Sequence, residues 1–135
     1  MKLTTTACLA AVVCIAAAAV ALAKPIVGTP RADRITGTGG PDTINALGGN
    51  DRVNGGGGDD TIAAGEGADV VSGGAGDDQI FGGPGKDRIS GGRGDDSIDA
   101  RDYARDVITC GPGRDRVVAG KNDSVARDCE SVARR

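Results

Sequence analysis

From Gly28 to Asp99 one β-branched aliphatic residue stands at every ninth position: Ile35, Ile44, Val53, Ile62, Val71, Ile80, Ile89 and Ile98. Mostly polar residues flank each of them, and six residues rich in Gly and Asp separate one such triplet from the next. The nonapeptides read GTPRADRIT, GTGGPDTIN, ALGGNDRVN, GGGGDDTIA, AGEGADVVS, GGAGDDQIF, GGPGKDRIS and GGRGDDSID. Their sixth position is always Asp: Asp33, Asp42, Asp51, Asp60, Asp69, Asp78, Asp87 and Asp96. Alternation about a single apolar residue predicts a very short strand with that side chain inward and its neighbours outward. The six residues before it predict a turn. A low-complexity linker has no reason to keep Asp and Ile or Val in phase, so the period specifies a repeat architecture.

Beyond Asp99 the register slips by one residue. The segment ARDYARDVIT (100–109) brings Asp106 and Ile108 into phase after an insertion and has no glycine, which makes a regular turn doubtful there. CGPGRDRVV (110–118) restores the pattern with Asp115 and Val117. Asp123 and Val125 follow after a one-residue deletion.

Before the repeats, Met1 and Lys2 precede an uncharged Ala/Val-rich run from Leu3 to Ala23 that ends in Ala21-Leu22-Ala23. This small-x-small ending predicts a secretory leader, residues 1–23, cleaved on export. The run is only marginally long enough for a membrane anchor. A lipoprotein cysteine is disfavoured, because Val13 precedes Cys14 and a Thr-Thr-Ala stretch precedes Cys8. The expected product is secreted, with no membrane span after cleavage. Removing the leader leaves Cys110 and Cys129, an even pair in an exported chain and therefore an expected disulfide closing a short C-terminal loop.

Composition adds a constraint on stability. With 24 Gly, one Phe, one Tyr and no Trp, the chain cannot build an ordinary apolar core, and such sequences normally stay disordered. All but two of its 19 acidic residues are Asp, the exceptions being Glu66 and Glu130. The net charge of −3 argues against a nucleic-acid partner, and the Asp bias points to a cation.

Glycine at positions one, two and four is expected to permit positive φ, so that backbone carbonyls converge beside the Asp carboxylate. Such an all-oxygen cage selects calcium, which takes oxygens at roughly 2.3–2.6 Å. Zinc and copper are disfavoured, since the chain has no His. The candidate ligands are Asp42, Asp51, Asp60, Asp69, Asp78, Asp87, Asp96 and Asp115. With them come the glycines of the full motifs: Gly55, Gly56 and Gly58; Gly73, Gly74 and Gly76; Gly82, Gly83 and Gly85; Gly91, Gly92 and Gly94. GTPRAD (28–33) and ALGGND (46–51) each lack two of these glycines, ALGGND keeping the fourth-position one, and AGEGAD (64–69) lacks one. Asp33 and Asp106 are accordingly weaker candidates. The extra Asp at position five (Asp59, Asp77, Asp95) is read as a solvated turn carboxylate, with an added ligand as the alternative. Arg34, Arg52 and Arg88 at position seven are read as solvated charges that offset the acidic turns.

The pattern GGxGxDxUx, with U apolar, closely resembles the RTX or haemolysin-type calcium-binding repeat over residues 28–99. The resemblance implies an all-β parallel β-roll solenoid with two repeats per coil. It places Asp33, Asp51, Asp69 and Asp87 on one edge, and Asp42, Asp60, Asp78 and Asp96 on the other. Ions held between turns two repeats apart would number at most about six. CGPGRDRV followed by DCE resembles the closing segment of exported β-rolls, so a disulfide-tied cap is expected. The implied division is a leader (1–23), a calcium-binding array (24–109), and a last repeat with its cap (110–135).

No enzyme signature is present: there is no His for a triad or an HExxH site, no G-x-S-x-G elbow and no Walker loop. Paired carboxylates are imaginable among so many Asp, but the repeat phase already explains nearly all of them. The function read from sequence is an exported, monomeric protein that folds on binding several calcium ions. A passive cell-surface spacer rigidified by calcium is the alternative. An ice- or surface-adsorbing roll is a weaker one, because position seven carries no regular Thr ladder.

Overall fold

The structure is a computed structural model that describes residues 25–135. The expected leader, with Cys8 and Cys14, lies outside the described residues.

The described chain is all-β. Its strands are β1 (Ile26–Val27), β2 (Arg34–Thr36), β3 (Thr43–Asn45), β4 (Arg52–Gly57), β5 (Thr61–Ala63), β6 (Val70–Ala75) and β7 (Gln79–Phe81). They continue as β8 (Arg88–Arg93), β9 (Ser97–Ala100), β10 (Val107–Thr109), β11 (Arg116–Ala119), β12 (Ser124–Val125) and β13 (Ser131–Arg134). Odd strands form a seven-stranded sheet in sequence order and even strands a six-stranded one. Every pairing is parallel and joins strands one coil apart, for example Ile62 with Ile80 and Val71 with Ile89. This is a parallel β-solenoid in which each coil crosses both sheets once, as the two-repeat coil requires.

The strands are as short as the sequence pattern predicts, with one difference. On the six-stranded side β4, β6 and β8 run on into their turns, where Gly56 pairs with Gly74 and Gly74 with Gly92. Between the sheets lie two columns of buried side chains, Ile44, Ile62, Ile80 and Ile98 from the seven-stranded sheet and Ile35, Val53, Val71, Ile89 and Ile108 from the six-stranded one. Position one also faces inward, at Ala46, Ala64, Ala100 and Ala119. The disulfide forms between Cys110 and Cys129, Cα atoms 5.2 Å apart, with both half-cystines in the core beside the last coils.

The glycines divide by role, which corrects one expectation. Positions two and four carry positive φ, as at Gly74 (111°) and Gly76 (130°), and Leu47 is forced to 75° at position two of its turn. Position one does not. There glycine is demanded by space, because a Cβ on Gly73 would collide with the Asp78 carboxylate and the Gly91 carbonyl.

With so narrow a core, one branched aliphatic side chain per sheet crossing carries much of each coil. Ile80→Ala should cost about 2–5 kcal/mol of unfolding free energy in a denaturant titration, the usual cost for a buried Ile. Gln79→Ala on the adjacent exposed position should stay within about 0.5 kcal/mol. Equal effects would refute the placement of Ile80 in the core.

Candidate functional site

The position-six carboxylates stand in two columns, one along each edge where the chain passes between sheets. In each, Oδ1 accepts the backbone N–H of the Asp one coil earlier. On the first edge the Asp33 N–H donates to Asp51 at 2.8 Å, Asp51 to Asp69 at 2.7 Å, and Asp69 to Asp87 at 2.9 Å. Asp87 donates to Asp106 at 2.8 Å and Asp106 to Asp123 at 3.0 Å. On the second edge Asp42 donates to Asp60, Asp60 to Asp78, Asp78 to Asp96 and Asp96 to Asp115, all at 2.8–2.9 Å. Glu130 closes that column by accepting the Asp115 N–H at 2.7 Å. The two columns contain the predicted edge sets and extend them through Asp106, Asp123, Asp115 and Glu130. No sequence signal in the repeat phase marked Glu130, because its spacing from Asp115 is short.

The second carboxylate oxygen behaves differently along the columns. In Asp51, Asp60, Asp69, Asp78, Asp87, Asp96, Asp106 and Asp115, Oδ2 is buried and has no hydrogen-bond partner. A buried, unpaired anionic oxygen is costly, so each one calls for a positive partner or a proton. At the two ends the chain supplies donors itself. Thr29 N–H donates to Asp33 Oδ2 and Thr38 N–H to Asp42 Oδ2, both at 2.5 Å, and both threonine hydroxyls add bonds to the same oxygen at 2.9 Å. At the far end Gly120 N–H donates to Asp123 Oδ2 at 2.7 Å. The sequence carried a signal for the first two: Thr replaces Gly at position two only in the two leading repeats.

The surroundings of the orphaned oxygens are made of oxygen. The spot where a Cβ would project from Gly55 is faced by Asp60 Oδ2 and the Gly73 carbonyl; the same pairing recurs at Gly73 and, with Asp96 and the Cys110 carbonyl, at Gly91. On the opposite edge Ala46, Ala64 and Ala100 place methyl groups at the equivalent position. Among the described residues no three carboxylates converge on one point, and the one cluster of three ligand-type side chains is Cys110, Asp128 and Cys129, whose sulfurs are bonded to each other. A cation in these turns would therefore draw its further ligands from backbone carbonyls. Oxygen donors without nitrogen or thiolate fit a hard ion such as calcium.

The neighbouring charges are exposed, and the structure adds partners to some of them. The position-five carboxylates are structural: Asp59 Oδ1 accepts the Asp77 N–H at 2.9 Å, Asp77 accepts from Asp95 at 2.8 Å, and Asp95 accepts from Arg114 at 2.8 Å. They form a third ladder on the exposed rim of the turn. Arg34, Arg52 and Arg88 lie exposed on the outer face of the six-stranded sheet. Asp102 takes over part of a turn that lacks glycine, accepting the Gly85 N–H at 2.8 Å while Tyr103 projects into solvent.

Burial raises the column carboxyls well above the usual range: Asp87 to about 7, and Asp78, Asp96 and Asp106 to about 6. The backbone N–H from the preceding coil opposes the shift, and neighbouring carboxylates reinforce it, as Asp106 and Asp69 do for Asp87. Asp60, Asp69 and Asp115 move in the same direction for the same leading reason.

A parallel β-solenoid edged by stacked, ion-seeking carboxylates is the class of protein these features define. The RTX calcium-binding nonapeptide repeat (4 copies) matches residues 27–62 and again residues 63–98, more than half of the chain, and the protein belongs to that calcium-binding family. No curated protein and no solved structure matches it.

The carboxyl shifts set how the metal-free roll responds to pH. Their folded values lie above the unfolded value of about 3.9, so the stability they contribute is complete below that pH and is lost as pH rises through 6 to 7. With a chelator present, the thermal midpoint should fall between about pH 5 and about pH 8. A midpoint that is flat or rises over that window would contradict the burial of unpaired carboxylates.

Proposed function

We propose that the chain is an exported, non-catalytic β-roll whose central turns bind calcium through the orphaned aspartates, and that this binding makes the roll rigid. The observation that carries the reading is the row of eight buried Oδ2 atoms with no partner, framed by protein-capped turns at both ends. Calcium supplies the positive charge those oxygens need, and neutralises carboxylates that repel one another along each column.

In this reading the ligands are Asp51, Asp60, Asp69, Asp78, Asp87, Asp96, Asp106 and Asp115, with carbonyls of the adjoining turns. On the edge of Asp60, Asp78 and Asp96, position one is Gly55, Gly73 and Gly91, where the column carboxylate and a carbonyl of the next coil leave no room for a Cβ. Asp33 and Asp42, both in the candidate set, are already served by Thr29 and Thr38, so the count falls below the six ions of a fully regular array. Residues 1–23 act as the export leader, 24–109 as the binding array, and 110–135 as the last repeat and cap. Extracellular calcium in the millimolar range suits such modules. The product is a secreted monomer without a nucleic-acid partner. The passive spacer reading differs only in the use made of the rigid rod.

Far-UV circular dichroism and calorimetry on residues 24–135 should show a calcium-specific gain of β signal with several ions bound and no equivalent response to magnesium. Asp78→Asn keeps the Oδ1 acceptor but removes the charge, and should lower the number of bound ions or weaken calcium uptake by about tenfold, the order expected when a charged ligand is lost. Asp77→Asn, on the rim ladder, should change uptake by less than about twofold, as exposed charges usually do. Indistinguishable titrations for the two variants would overturn the assignment of the column carboxylates as ligands.

A further inference from the structure

We propose that the outer face of the six-stranded sheet is a docking surface for an extended acidic polysaccharide. The parallel register aligns Arg34, Arg52, Val70, Arg88, Val107 and Ser124 in one column across that face. A second column beside it holds Thr36, Asn54, Ser72, Ser90 and Thr109. No Asp or Glu projects from the face, although the chain as a whole is acidic. Among the described residues the ion pairs are Arg101 with Asp99 and Arg114 with Asp95, so the three face arginines are engaged by no carboxylate of the protein.

The face also has the shape of a track. One shallow depression spans Arg34, Thr36, Arg52 and Asn54, and a second spans Arg88, Ser90, Val107 and Thr109; they meet at Val70 and Ser72. Together they cross five strands, or about 19 Å at the usual strand spacing. Its walls are the two columns, and its long axis runs along the roll.

The chemistry of the two columns selects the occupant. Guanidinium groups pair with carboxylates through two parallel hydrogen bonds, which favours an anion repeated along a line. Hydroxyl and amide side chains can donate to and accept from sugar hydroxyls at each step. Val70 and Val107, each 46% exposed, offer apolar contact to the C–H faces of sugar rings. A monosaccharide unit is about as long as the strand spacing, so successive rings meet successive strands. Single-stranded nucleic acid is the poorer fit, because the face has no aromatic side chain on which a base could stack. The acidic turns that border the sheet on both edges repel a polyanion and confine it to the central track. None of this depends on which aspartates hold calcium, only on the roll being folded.

The test is fluorescence anisotropy with a labelled oligogalacturonate too short to gel, at constant saturating calcium. A neutral oligosaccharide of the same length and a single-stranded oligonucleotide serve as comparisons. Wild-type protein should bind the acidic sugar and ignore the neutral one. The triple variant Arg34→Gln, Arg52→Gln, Arg88→Gln should bind more than about tenfold more weakly, since three charge-assisted contacts are lost. Its circular dichroism and calcium uptake should match those of wild type. Val70→Glu, which inserts a carboxylate into the exposed column, should weaken binding similarly, whereas Arg116→Gln on the opposite sheet should leave it within about twofold. Retained affinity in both face variants, absence of binding by wild type, or tighter binding of the oligonucleotide would each overturn the proposal.

Discussion

One hydrogen bond is repeated from end to end of this molecule: the backbone N–H of a turn aspartate donates to the carboxylate of the aspartate one coil later. It splices successive coils where the chain enters each strand, beside the backbone bond that the same aspartate's carbonyl accepts from the coil after it. It also draws the carboxylate against the preceding coil, away from water. The same bond that aligns the coils thus leaves the other carboxylate oxygen buried and without a hydrogen-bond partner along the middle of each column.

That constraint explains the smallness of the residues around it. Position one must leave room for the carboxylate and for a carbonyl of the next coil, so Gly or Ala occupies it through the regular array. Positions two and four must turn through left-handed backbone, so Gly dominates for a different reason. The apolar columns between the sheets set the spacing of the sheets, but a single side chain per crossing stabilises each coil only modestly. The stacked turns therefore decide whether the roll is rigid.

Much of this was legible in the sequence because the period is strict. Asp and Ile or Val recur without a break, so strand positions and inward side chains follow from counting, the two carboxylate edges follow once the family resemblance supplies the two-repeat coil, and the return to phase at Asp106, Asp115 and Asp123 survives two shifts of register. Partners that depend on atomic approach were not legible. Counting cannot show that Thr29 and Thr38 fold onto their own aspartates, that Asp59 and Asp77 brace the rim, or that Glu130 reaches back to complete a column.

The turn at residues 100–106 carries one residue more than its counterparts, dispenses with glycine, and still delivers Asp106 to the ladder with Tyr103 thrown outward. The spacing between rungs reaches 19 residues there and contracts to 15 before Glu130. The fold thus registers the order of its acidic side chains and is indifferent to the length of chain between them. For a gene made of near-identical units, that indifference is a licence to vary: slippage in a turn is absorbed as a surface loop, and gain or loss of a whole coil shortens or lengthens the rod while both of its faces keep their alignment.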